Sequence, residues 1–214
     1  MKVKWIGHAC FLIEGEEGKV LTDPYDESIP YRAPDFPVDV VTVSHEHSDH
    51  NAVDRVPGNP VVIRGAGEHR ARGMTFTGIA CFHDAEAGKK RGENTIFTFT
   101  IDGIHLAHLG DLGHPLSDVQ VEALSAVEVL FIPVGGYFTI GPDEAKELIQ
   151  SMPNLAVVFP MHYKTDRLGD NFPIAPVDNF ARKVQNVRKI GGSEISLTNE
   201  TLPKHLEVWI LDYA

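Results

Sequence analysis

The sequence predicts an α+β fold in which two β-sheets pack face to face with helices outside, and three observations carry that expectation. Short apolar runs of strand length dominate the first half of the chain, broken by Gly- and Pro-bearing turns. The second half alternates strand-like runs with helix-like ones. The 214 residues, 43% of them apolar, suffice for one sizeable core and not comfortably for two, so residues 1–214 are expected to form a single domain.

In chain order, Val3–Ile6 and Cys10–Glu14 read as strands, and Gly15-Glu16-Glu17-Gly18 as a hairpin turn returning through Lys19–Thr22. Pro24 to Pro37 holds four prolines and reads as a loop. Val38–Val43 reads as a buried strand, with a short helix starting near Asn51. Val61–Arg64, Met74–Phe82, Thr95–Ile101 and Ile104–Leu109 follow as strands, the last two joined by an Asp102-Gly103 turn. Ser117 can cap a helix running to Leu124, and Val127–Pro133 is a strand. Gly141-Pro142-Asp143-Glu144 opens a helix, with proline at its first position and acids in its first turn. Leu155–Pro160 is a strand, Val177–Ile190 a helix closed by Gly191-Gly192, and Leu206–Leu211 a last strand.

A net charge of -11, from 19 basic and 30 acidic residues, disfavours a nucleic-acid or anionic-membrane surface, which needs a basic field. No window approaches the roughly 18 apolar residues of a membrane helix, and the apolar start is too short and polar for a signal peptide. Cys10 and Cys81 form no CxxC pair or secreted disulfide pattern, so a reducing, cytoplasmic setting is expected. Cys10 reads as a buried apolar residue. Cys81 shares a strand face with His83 and reads as packing rather than ligation.

The chemistry concentrates in Ser44-His45-Glu46-His47-Ser48-Asp49-His50, three histidines and an aspartate following an apolar strand. Imidazole and carboxylate suit zinc, manganese, iron or nickel, and such a cluster is the usual ground of metal-assisted hydrolysis. The bland alternative is a polar loop whose histidines make only hydrogen bonds. Asp23, His83, Asp111 and His162 each stand where another apolar strand stops, so all could converge on one pocket. Taken alone, an aspartate after a strand often only caps a turn, and a single histidine at a strand end is more often a satisfied polar residue than a ligand. The joint pattern favours convergence.

His45-x-His47-x-Asp49-His50, followed by His83, Asp111 and His162, resembles the metallo-β-lactamase superfamily over most of the chain. The resemblance implies an αββα sandwich. It also implies one divalent metal ion on His45, His47 and His83, a second on Asp49, His50 and His162, and Asp111 bridging the two. Zn2+ is the expected ion, with Mn2+, Ni2+, Fe or single occupancy left open. Asp23 would support a ligand histidine from behind. Trp5-Ile6-Gly7-His8-Ala9-Cys10-Phe11, Arg91-Gly92-Glu93-Asn94-Thr95 and Pro133-Val134-Gly135-Gly136 look like the branch containing ascorbate-6-phosphate lactonase. The RNA-gripping insertion and the C-terminal helical domain of other branches are expected to be missing.

The expected function is a metal-dependent hydrolase acting through a metal-bound hydroxide on a small ester or lactone with an anionic group. A phosphodiesterase and a non-catalytic metal-binding scaffold are the alternatives, and an amidohydrolase barrel is disfavoured because βα alternation is missing from the start. Asp49 is expected to ligate and to orient the nucleophile. His8 and His114 are candidates for direct contact with the reaction, while His108 is expected to pack near the site. Lys89-Lys90-Arg91 and Lys164 with Arg167 read either as solvated loop charges or, if the ligand assignment holds, as the pocket edge that would meet an anion. The expected partner is a small-molecule substrate, with homo-oligomerisation left open.

Overall fold

The computed structural model describes residues 1–214. The chain opens with an antiparallel meander of β1 (Lys2–Gly7), β2 (Cys10–Gly15) and β3 (Gly18–Thr22), to which β4 (Val40–Val43) and β5 (Val61–Arg64) add in parallel. A second antiparallel run follows as β6 (Gly67–Ala71), β7 (Met74–Phe82), β8 (Glu93–Ile101) and β9 (Ile104–His108). The remainder is α1 (Asp118–Ala123), β10 (Val129–Pro133), α2 (Pro142–Gln150), β11 (Val157–Met161), α3 (Asp178–Ala181), β12 (Val187–Lys189), β13 (Glu194–Ser196) and β14 (Glu207–Ile210).

Two mixed sheets result, ordered β13-β1-β2-β3-β4-β5 and β12-β14-β11-β10-β9-β8-β7-β6. Their facing sides share one core. Alternation along the strands sends Val3, Trp5, Phe11 and Ile13 of the first sheet inward against Phe131 and Phe159 of the second, and the Phe11 and Phe131 rings lie 4.5 Å apart.

The expected two-sheet sandwich is present, but helices do not flank it evenly. Ile6, Cys10, Leu21, Val41 and Val43, on the other side of the first sheet, are covered by the proline-rich loop through Tyr25, Ile29 and Tyr31. Both predicted helix starts occur. Ser117 and Gln120 exchange a capping box at α1, and Pro142 begins α2 with Asp143 and Glu144 in its first turn.

Three expectations need correction. The helix over Val177–Ile190 is only the four residues of α3, because Asn186 turns at φ 55° and Val187 then pairs with Val208 as β12. Val184, Val187 and Ile190 reach the core from separate segments rather than from one helix face. Near Asn51 there is one 3-10 turn, Val53–Arg55, too short to be an α-helix. The strands β6, β12 and β13 are short edge or near-edge pieces rich in polar residues, so no apolar alternation announced them.

Candidate metal centre

Parallel pairing brings strand ends together. β3 and β4 run parallel, so Asp23 and Ser44-His45 leave the first sheet side by side. β9, β10 and β11 run parallel in the second sheet, which carries Asp111 and His162 to a common rim. His83 ends β7, and His8 occupies the turn between β1 and β2. All of these side chains are buried, whereas His47 and Asp49, just beyond β4, open towards solvent.

The structure brings the seven expected ligands together in two groups. In the first, His45 Nε2 and His47 Nδ1 are 3.1 Å apart, and His83 completes a set whose ligand atoms lie within 4.8 Å of one another. In the second, His50 Nε2 is 3.8 Å from Asp49 Oδ2, and His162 stands alongside. Asp111 lies between them. Its Oδ2 is 3.2 Å from His83 Nε2, 3.3 Å from His50 Nε2 and 3.2 Å from His162 Nε2.

Apart from the longer His50–Asp49 separation, these spacings fit metal ions. With bonds of about 2.0–2.1 Å, two ligand atoms on one ion stand roughly 3.0–3.4 Å apart. The Oδ1 of Asp111 is also buried without any hydrogen-bond donor, a costly orphan that a cation would satisfy.

Asp23 stands behind the centre. Its Oδ2 accepts the Nδ1–H of His50 at 2.9 Å and the hydroxyl of Ser44 at 2.6 Å, while its Oδ1 accepts the Ser44 backbone N–H at 2.8 Å. The single Ser44 proton is thereby used, so Ser44 Oγ accepts from His45 Nδ1–H at 2.9 Å. Both imidazoles are thus turned with Nε2 towards the centre. Asp23 (φ 38°), His8 (φ 54°) and His162 (φ 49°) all occupy the left-handed region, and such strain clusters at functional sites.

Electrostatics follow from burial and these contacts. Burial, helped by neighbouring imidazolium charge, lowers His8 to about 4 and His45 to about 3, and lowers His83 as well. All three therefore offer lone pairs at neutral pH. Burial alone would push His50 down, but Asp111 and Asp23 outweigh it and raise it well above the ordinary imidazole range. Burial alone would push Asp111 up, yet His162 and His50 hold it far below the usual carboxylate range. Asp49 is likewise held low, against burial, by His8 and His50.

A cavity of about 380 Å³ opens over the centre. His47, Asp49, His83, Asp111 and His162 form its floor, and Ile29, Phe138 and Phe172 an apolar wall. Arg91 also lines it, with its guanidinium 5.4 Å over the Phe138 ring. The other basic residues expected at this edge do not line the cavity. Lys90 pairs with Glu86, Lys164 donates to the Asp170 carbonyl at 2.5 Å, and Arg167 stacks on Tyr213.

His114 is not brought to the cavity. Its Nδ1–H donates to the Pro115 carbonyl at 2.7 Å and its Nε2 accepts the Phe82 N–H at 3.1 Å. With both nitrogens held by backbone it braces the residue before His83, and its expected contact with the reaction has no geometric basis. His108 packs beneath the centre, donating to the Ala9 carbonyl at 2.8 Å and accepting the Gly110 N–H at 3.2 Å. Cys81 is a buried thiol contacted by the Asn94 amide and joins neither ligand group.

Residues 2–162 match the family described as the beta-lactamase superfamily domain. The chain belongs to the metallo-β-lactamase superfamily. It is 30% identical to a UPF0173 metal-dependent hydrolase of Methanoculleus marisnigri, over 89% of this chain and 91% of that protein. A second UPF0173 metal-dependent hydrolase, from Archaeoglobus fulgidus, is 28% identical over 81% and 87%. Among solved structures, a Thermotoga maritima member of the superfamily is 38% identical with a TM-score of 0.83, covering 100% of this chain and 99% of that one. The metallo hydrolase Igni18 of Ignicoccus hospitalis shares the fold at 21% identity and a TM-score of 0.61, over 86% and 89%. This chain is accordingly a metal-dependent hydrolase of the metallo-β-lactamase superfamily.

Two positioning residues of this superfamily member escaped the sequence reading. The Asn94 amide donates to the Leu109 carbonyl at 2.9 Å and accepts the Asp111 N–H at 3.0 Å, which sets the turn that carries Asp111. Asp84 accepts four backbone N–H groups, from Glu86, Gly88, Lys90 and Arg91, at 2.7–3.0 Å. It folds the loop that delivers Arg91. Its place directly after His83 was the available signal.

Proposed function

We propose that this hydrolase cleaves a small ester or lactone bearing a carboxylate or phosphate, the substrate chemistry of the ascorbate-6-phosphate lactonase-like branch. The observation that carries this reading is Arg91. It is a half-buried guanidinium with no carboxylate partner, seated on Phe138 and facing the same cavity as the His/Asp donor set. A planar guanidinium on an aromatic face is pre-organised for a substrate anion. The cavity volume suits a small molecule.

His45, His47 and His83 would hold one divalent ion, and Asp49, His50 and His162 the other, with Asp111 shared. Zinc suits these nitrogen and oxygen donors, and manganese, iron and nickel suit them too. Bound there, the ions would acidify water and polarise the scissile carbonyl. Asp49, ionised at neutral pH and partly exposed, would be placed to accept a hydrogen bond from the attacking water and orient it. Ile29, Phe138 and Phe172 give the cavity an apolar wall against which the uncharged part of such a substrate would pack.

A panel of lactones and aryl esters, each with and without an anionic group, tests the reading together with bis(p-nitrophenyl) phosphate. Anionic esters or lactones should be preferred, and Arg91→Ala should raise KM for them at least about tenfold while sparing neutral analogues. Faster turnover of the phosphodiester, or an Arg91→Ala effect equal on charged and neutral substrates, would refute it.

A further inference from the structure

His8 is placed by an unusual backbone. A bulge between Trp5 and Gly7 ends the β1–β2 pairing, and Gly7 (φ 137°) and His8 (φ 54°) turn the chain left-handed. A side chain at position 7 would meet the Tyr31 ring at 2.6 Å, so glycine is required there. The His8 carbonyl is clamped from two sides, by the Trp5 indole N–H at 3.0 Å and the His162 backbone N–H at 3.2 Å. The imidazole is consequently aimed inward, only 2% exposed.

Its Nε2 lies 3.2 Å from His50 Nε2 and 3.3 Å from Asp49 Oδ2, and its ring centroid is 4.3 Å from that of His162. The ligand atoms of His8, His50 and His162 fall within 4.8 Å of one another. We propose that His8 is itself a ligand of the second ion, beside Asp49, His50, His162 and the shared Asp111. This rests on the reading of the site as a two-ion centre.

The competing role is a hydrogen bond that orients Asp49. At 3.3 Å the contact is long for a charge-assisted bond, which closes to about 2.7–2.9 Å. The spacings of 3.2 and 3.3 Å instead match neighbouring ligand atoms around one ion. Five protein donors exceed the four of tetrahedral zinc. The second position is therefore suited to an ion of higher coordination number, such as manganese, iron or nickel, and the first to zinc.

The test loads wild type, His8→Ala and His8→Gln with cobalt(II). It reads stoichiometry, affinity by chelator competition, and the visible absorption of the bound ions. Glutamine keeps an N–H within reach of Asp49 but has no imidazole. The expected result is two equivalents in wild type, with the second weakened at least about tenfold in both variants. The first should stay unchanged, and the absorption should intensify as the second ion loses a ligand. Wild-type affinity and spectrum in both variants, or in His8→Gln alone, would overturn the proposal in favour of packing or of the Asp49 bond. Should wild type itself take only one ion, the two-ion reading fails, and that arm shows it independently of the variants. Urea unfolding of the metal-free proteins checks that each variant folds.

Discussion

Asp23 and His50 meet at 2.9 Å between Oδ2 and Nδ1, and the same carboxylate reaches His45 through the Ser44 hydroxyl. One buried aspartate thus orients an imidazole in each half of the centre. Loss of such a supporting partner costs roughly 10–100-fold in metal affinity. Asp23→Ala should weaken both equivalents by that order, whereas Ser44→Ala should weaken chiefly the first. Competition with a chromophoric chelator separates them, and equal loss of both equivalents in Ser44→Ala would count against the relay.

Asp84 gives a pH-dependent prediction. Burial alone would raise it, but the N–H groups of Arg91, Glu86, Lys90 and Gly88 lower it to about 2. A carboxyl depressed on folding stabilises the native state above its unfolded pKa of about 3.9. That contribution disappears as pH falls through about 2. Asp84→Asn should therefore be less stable than wild type at pH 5–7, with the gap closing towards pH 2, as read by urea midpoints across pH. It should also raise KM for anionic substrates, because the loop carrying Arg91 loses its anchor.

Gly135 marks a close approach. A Cβ there would sit 2.2 Å from the His162 carbonyl oxygen, while one at Gly192 would meet nothing within 4 Å. Gly135→Ala should destabilise the protein by about 1–3 kcal/mol, the usual cost of forced overpacking, and should displace His162 enough to lower metal occupancy. Gly192→Ala serves as the neutral control. Wild-type metal content and melting temperature in Gly135→Ala would show that the backbone yields without consequence.

Metal should stabilise the fold as well as supply the chemistry. The buried cluster pays a desolvation cost that an ion offsets, and binding to the native state alone adds about 2.7 kcal/mol at 100 times Kd. Zinc at excess over Kd should raise the melting temperature and chelation should lower it. His47→Ala should blunt the response. Identical melting with zinc and with chelator would argue against a folded-state metal site.

Much of the centre was legible from residue order because its densest part is local. His45, His47, Asp49 and His50 come from six consecutive positions after one strand, so no long-range information was needed to see them as donors. His83, Asp111 and His162 were visible as polar residues at strand exits, and the two-sheet core followed from the runs of Val, Ile and Phe. What the linear order left open depends on directions in space. The Asp23 link to both His50 and His45 exists only because β3 and β4 run parallel and side by side. Arg91 is distinguished from Lys89 and Lys90 only by the loop that Asp84 winds, which stacks one of the three on Phe138. His8 and His114 read alike as stray histidines beside glycines. A left-handed turn drives the first into the centre, and two backbone hydrogen bonds hold the second away. Residue type determined which chemistry was available here, whereas strand pairing and a few strained φ angles decided which side chains share it, because contacts between distant segments exist only once the sheets have packed.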